Sequence, residues 1–275
     1  MPFLPLFKFN VEPQEGNARR SYDIRSVLAA ANGGVALMPD ADRRYVVAGD
    51  SVTALQAYAS KYFVELAGMW INPLHITWAE LWASKRMYAG HGPVYKEYFP
   101  CYRKDYEKLV DAVGMATIGE NSSVNLSRVC VCNTTGWYLD LPRDRRHYDN
   151  VHRSRLDRHA QEVGWIRYSD GWINLEEIRV LADGAIHFSP KVSVPLDAIA
   201  KEGVDRIVAM DWVEVDPNKK VNVSAITHVG RDATKPRQCV LQLGYEMTVV
   251  FPDERLHEVG RRLAARRESA PRDGG

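Results

Sequence analysis

The stretch WIRYSDGWINLEEIRVLADGAIHF, residues 165–188, carries two Asp-Gly pairs, Asp170-Gly171 and Asp183-Gly184, each between extended apolar segments. Asp-Gly suits the tight turn whose twist matches paired strands, because glycine takes positive φ without a Cβ clash. The spacing therefore predicts two successive hairpins. Towards the C-terminus, β-branched and apolar runs predict three longer strands over residues 206–215, 221–229 and 239–251, arranged as an antiparallel meander. Pro217-Asn218 and the polar loop 231–237 separate them. Pro252-Asp253 then opens a last helix, with Leu256, Val259 and Leu263 on one side and Arg255, Arg262 and Arg266 on the other. Towards the N-terminus, Val129, Val131 and residues 137–141 read as strands about the turn residues 133–136, and the charged run 143–163 reads as a helix ending at Gly164.

Helical spacing dominates the first half. Ile24, Val27, Leu28 and Ala31 follow it after Asn17 until Gly33-Gly34, and Leu55, Ala59, Tyr62, Phe63 and Leu66 share a helical face after Ser51. Thr77 and Glu80 have capping-box spacing ahead of Leu81, Trp82 and Met87, and Tyr106, Leu109, Val110 and Val113 mark a further helix from about Arg103. A short hairpin, 35–38 with 45–48, interrupts this half. The expected fold class is α+β: a helical N-terminal half, followed by a mostly antiparallel sheet with a basic helix and a C-terminal helix packed on it. The expected division is a mainly helical region over 1–120, an antiparallel-sheet region over 121–268 and a disordered tail over 269–275. No internal repeat is expected.

The 275 residues are 45% hydrophobic and carry a formal net charge of +1, enough apolar content for a sizeable core and too little charge for a chain-wide field that draws nucleic acid or membrane. Any such partner must be held by a local patch. No segment is apolar for long enough to span a bilayer as a helix, and no membrane partner is expected. The four cysteines, Cys101, Cys130, Cys132 and Cys239, include no CxxC pair, so they read as reduced thiols of a cytoplasmic protein, with no metal site and no cofactor. Gly-rich phosphate loops, GxGxxG, HExxH and GxSxG motifs are absent.

Chemistry concentrates between residues 143 and 159. Guanidiniums fit phosphate oxygens and imidazole exchanges protons near neutral pH, so Arg145, Arg153, Arg155 and Arg158 are expected to bind phosphate, with His152 and His159 as the catalytic pair if there is catalysis. A solvated, ion-paired helix face competes with this reading, because Asp144, Asp149 and Asp157 interleave with the arginines. Lys96 and Arg103 sit among Tyr88, Tyr95, Tyr98 and Tyr102, an aromatic and cationic mixture suited to stacking on unpaired bases or to packing. The expected partner is nucleic acid, RNA favoured, or a nucleotide. The alternative is a non-enzymatic assembly or inhibitor protein that meets a protein partner through the aromatic surface between Tyr88 and Tyr102.

Residues 156–164 (LDRHAQEVG), followed by 170–178 (DGWINLEEI), resemble the N-terminal lobe signature of the RNA 2'-phosphotransferase family. That resemblance implies an Arg-His pair on a helix, a following hairpin, Arg158 as a phosphate ligand and NAD-dependent phosphate removal. It covers about a tenth of the chain, and the family's later Gly-His-Ser and His-Gly-Thr elements are missing.

Overall fold

The computed structural model describes residues 26–29, 35–40, 43–47, 53, 57, 59–66, 69–73, 76–82, 86–91, 95–100, 103–142, 144–232, 235, 237–243 and 247–269. Their strands form five antiparallel sheets on one recurring plan. The first contains β1 (Ser26–Ala29), β2 (Val35–Asp40), β3 (Arg43–Val47), β4 (Val64–Leu66) and β5 (Met69–Ile71) in the order β3-β2-β1-β5-β4. The second repeats that order with β6 (Ile76–Trp82), β7 (Arg86–His91), β8 (Tyr95–Pro100), β9 (Ala116–Gly119) and β10 (Ser122–Val124). The third uses β11 (Val131–Asn133), β12 (Tyr138–Asp140), β13 (Arg145–His147), β14 (Ile166–Tyr168) and β15 (Gly171–Ile173). The fourth uses β16 (Val180–Ala182), β17 (Ala185–Ser189), β18 (Val192–Pro195), β19 (Trp212–Asp216) and β20 (Lys219–Asn222). The fifth has β21 (His228–Arg231), β22 (Gln238–Gln242) and β23 (Thr248–Pro252). After the third strand of modules two to five comes a helix: α1 (Arg103–Val113), α2 (Arg153–Glu162), α3 (Lys201–Val208) and α4 (Leu256–Ser269).

Each full module is thus a three-strand meander and a closing hairpin whose second strand returns beside the first. The opening strand becomes the centre of its sheet, paired on both edges. A buried asparagine closes the module: Asn72, Asn125, Asn174 and Asn222 each follow a β-branched residue at the end of the closing hairpin, at a period of about 50 residues. The backbone amides of Asn125, Asn174 and Asn222 donate to the carbonyls of Thr77, Cys130 and Arg179, near the start of their own modules. The side-chain amides of Asn125 and Asn222 donate to the Ile76 and Ile178 carbonyls at 3.1 and 2.9 Å. In modules three and four the amide oxygen also caps a short 3-10 turn, accepting from Glu176 N and Ser224 N. A buried amide needs all these partners, so one residue type serves the same corner each time.

The chain divides into two compact units, Met1–Leu126 and Ser127–Gly275. In the first, Val64, Leu66 and Ile71 of the first sheet share a core with Ile76, Leu81 and Met87 of the second and with Tyr106 and Leu109 of α1. In the second unit, Val131, Ile166 and Ile173 of sheet three pack with Ile186, Phe188 and Val194 of sheet four. The other face of sheet four, with Val180, Val213 and Val221, joins Cys239, Leu241 and Phe251 of sheet five and Val259 of α4. Helices also bridge neighbouring modules: Lys108 on α1 donates to the Glu65 carbonyl in β4, and Gly203 on α3 lies against Ile166 in β14.

Several expectations are corrected. The helical N-terminal half is not found: the residues expected to form helices around Val27 and after Thr77 are strands β1, β6 and β7, although residues 59–62, within the helix expected after Ser51, are helical, and of α1 to α4 three lie in the second half. The fold is sheet-dominated rather than α+β with a helical front. Five of the seven residues of β6 are buried, so no two-residue alternation was there to announce a strand. The expected repeat-free chain is a tandem array. Residues 143–163 are not one helix, since β13 occupies Arg145–His147 before α2 begins. Residues 206–215 begin as α3, and the two remaining long strands each break into two. The hairpins at 35–47, 166–173 and 180–189 are as expected. The helix expected after Asn17 begins outside the described residues, as does most of the tail after 269.

Candidate functional site

The candidate site lies on the sheet of module three. Its central strand sets two faces. Asn133 stands opposite Tyr138 and Gly171, Tyr138 opposite His147, and Gly171 opposite Tyr168, so Asn133, Tyr138, His147 and Tyr168 share one face with Asp140 and Arg145. Cys132, Leu139, Arg146 and Trp172 lie on the other, where the Trp172 indole donates to Asp157 of α2 at 2.7 Å.

On the first face Asn133, itself buried, organises the rest. Its oxygen accepts from the Thr135 and Gly136 amides at 3.1 and 2.6 Å, and its amide donates to the hydroxyls of Tyr138 and Tyr168 at 3.0 and 3.2 Å. The turn residue Gly136 is required, because a Cβ there would come within 2.7 Å of the Tyr138 ring. Next in the turn, Trp137 is exposed and held at φ +53°, a conformation that costs a non-glycine residue about 1–3 kcal/mol and needs surrounding structure to persist. The Arg145 guanidinium carbon lies over the Tyr138 ring, 3.8 Å from its centroid, and His147 meets the same ring edge-on at 6.1 Å. Arg145 also gives Nε and Nη2 to Asp140, at 2.7 and 3.2 Å. Its charge is thereby neutralised and its plane fixed, although half of the side chain is exposed. Burial pushes the Tyr168 hydroxyl well above the ordinary phenol range, against the lowering effect of the Asn133 bond, and so keeps it a proton donor.

The expected site residues are distributed differently. Arg155 and Arg158 are exposed on α2, and among the described residues neither has an ion-pair partner. Arg153 reaches Asp157 only at 3.9 Å. His152 caps the start of α2 and His159 lies near its end, about 10 Å along the axis, so the two imidazoles do not converge on one reacting atom. His159 packs edge-on against Trp165, and burial, aided by the Arg155 charge and opposed by Glu162, lowers its pKa. Arg145 is on the sheet face opposite α2 and apart from these residues. Arg103 opens α1, donating to the Asn121 side chain at 2.8 Å, and Lys96 falls in β8 opposite Gly90. Both are in the first compact unit. The residues expected to build an aromatic surface, Tyr88, Tyr95 and Tyr98, are positions in the hairpin β7–β8, and Tyr102 lies outside the described residues.

Asn133, Tyr138, Trp137, His147 and Tyr168 carry no motif that marks them as a site in the sequence. The missing signal is the repeat: once modules three and four are aligned, these residues are among those that differ. Comparison of the chain with protein-family models, curated proteins and solved structures finds no match. The segment that resembles the RNA 2'-phosphotransferase signature has a structural account of its own. Gly171–Ile173 closes module three, and Glu176-Glu177 begins no long helix but sits in the 3-10 turn Leu175–Glu177.

Proposed function

We propose that this protein binds nucleic acid, RNA favoured, through phosphate contacts from the α2 surface of module three. The observation that supports this is a contrast between helices. On α4, Arg261 and Arg262 are held by Glu258, Arg262 also by Asp211, and Arg266 donates to the Val223 carbonyl. On α2, Arg155 and Arg158 are exposed and, among the described residues, unpaired, leaving their guanidiniums available to an outside anion. Separation of His152 from His159 favours binding over acid–base catalysis.

The test is a salt titration of single-stranded RNA binding by the wild type and by Arg155→Ala/Arg158→Ala. Each lost phosphate contact should flatten the logarithmic salt slope by about 0.7, roughly 1.4 for the pair, with weaker binding at low salt. Equal affinities and slopes would show α2 to be ordinary solvated surface. A protein partner is the competing reading, and the exposed Trp137 speaks for it.

A further inference from the structure

We infer that the Arg145–Tyr138 stack is a seat for one unpaired nucleobase, an assignment that rests on the nucleic-acid reading but uses residues on the sheet face opposite α2. Arg145 is a poor phosphate ligand, because two of its donors and its charge are already taken by Asp140. What remains available is its outer plane. A guanidinium held over a tyrosine ring, with half of its side chain exposed, can offer its other face to solvent, and bases splayed out of a single strand stack on such planes. The surroundings fit a neutral, acceptor-bearing ring better than an anion, because Asp140 and Asp170 both stand close enough to act on the Tyr168 hydroxyl.

Hydrogen bonding gives the seat a preference. The Tyr138 and Tyr168 hydroxyls each accept from the same Asn133 nitrogen, and among the described residues neither hydroxyl hydrogen has an acceptor. The two phenols therefore offer donors and have one lone-pair site already filled. Carbonyl oxygens, two of which uracil carries, are matched acceptors, whereas the amino edge of adenine is not. The fourth module has none of this chemistry: Ala182, Ala185, Ser193, Pro195 and Asp216 stand where module three has Asn133, Tyr138, Arg145, His147 and Tyr168. The seat of module three therefore has no counterpart in module four, whereas module two carries Tyr88 and Lys96 at the register positions of Tyr138 and Arg145.

Arg145→Lys separates stacking from charge, because lysine keeps the positive charge beside Asp140 and loses the plane. It is compared with wild type and with Tyr168→Phe for binding to single-stranded oligouridylate, oligoadenylate and duplex RNA across a salt series. Loss of one stacked base should weaken oligouridylate binding by about five- to 100-fold with an unchanged salt slope, and leave duplex binding unaltered. Tyr168→Phe, which keeps the ring, should narrow the preference for oligouridylate over oligoadenylate. Thermal melts confirm that the variants are folded. Uridine, which has no phosphate, is titrated in parallel and followed through the His147 ring resonances. If wild type ignores the polymers yet binds uridine and Arg145→Lys does not, the polymer reading falls and the seat stands. Equal uridine response in both proteins, no response in either, or a parallel loss on duplex RNA overturns the seat.

Discussion

Modules three and four have one backbone plan and two chemistries. Aligned on their central strands, Val131 matches Val180, Cys132 matches Leu181 and Ile173 matches Val221: Val131 and Ile173 pack in the core between sheets three and four, Val180 and Val221 in the core between sheets four and five, and Cys132 is buried. At the other end of the strands the correspondence stops. Module four turns its first hairpin tightly through Asp183 and Gly184, both at positive φ, while module three inserts a four-residue turn, braced by Asn133 and carrying an exposed Trp137. A repeat that copies its core and not its rim separates what folds the chain from what distinguishes one module's surface.

The sharpest break in the comparison is Gly171, whose counterpart in module four is Lys219. A Cβ on Gly171 would lie 2.0 Å from the Cys132 carbonyl oxygen, so Gly171→Val should destabilise by about 3 kcal/mol or more, as overpacking against backbone does. The cause is this close approach, since the glycine's φ of +159° is nearly extended and not that of a tight Asp-Gly turn. Lys219→Val should change stability by less than about 0.5 kcal/mol. Chemical denaturation of the two variants tests the pair, and similar losses would dissolve the contrast.

Next in size is Asn222→Ala. It strips the partners from Ser224 N and the Ile178 carbonyl at a buried corner, and about 2–4 kcal/mol should be lost at one to two unsatisfied groups' worth of desolvation. Asn133→Ala should cost a comparable amount but for a different reason, through the turn it braces, and should in addition abolish the uridine response that Asn222→Ala leaves intact. If both variants behave alike in binding, the distinction between closing and site asparagines fails.

The smallest expected effect concerns His159. Its pKa is lowered in the folded protein, so the native state binds fewer protons than the unfolded chain; this contribution to stability is present above about 6.5 and is lost as pH falls through the folded value. Arg155→Ala removes one lowering influence. The His159 titration, followed by NMR, should move upward and the acid-side loss should shrink, while stability at neutral pH stays within about 0.5 kcal/mol. A downward movement would mean that Arg155 acts on His159 by something other than its charge.

Sequence reading succeeded where turn chemistry speaks locally. Asp183-Gly184 marks its hairpin through the positive φ that both residues adopt, and Pro252-Asp253 precedes α4, whereas Asp170-Gly171 falls at a hairpin although its glycine is nearly extended. It failed where burial erased periodicity. Ile76, Trp78, Ala79 and Leu81 are all buried in a strand paired on both edges, and their spacing imitates a helical stripe. The repeat stayed hidden because what recurs is a β-branched residue followed by asparagine, while loop lengths between copies vary. Of the candidate site, the exposed arginines were legible from composition. The cluster around Asn133 was not, since its members are scattered from 133 to 168 and are joined only by strand register.

The placing of each opening strand beside its closing strand has a mechanical consequence. In module three, Val131 at the start of β11 stands opposite Ile173 at the end of β15, and in module four Val180 at the start of β16 stands opposite Val221 near the end of β20. A pull along the chain therefore loads the two strands from the same end, and their hydrogen bonds break in succession, as in a zip, instead of resisting together in shear. Stretched between its termini, the protein should lengthen in steps of one module at low force, the asparagine corner giving way first in each.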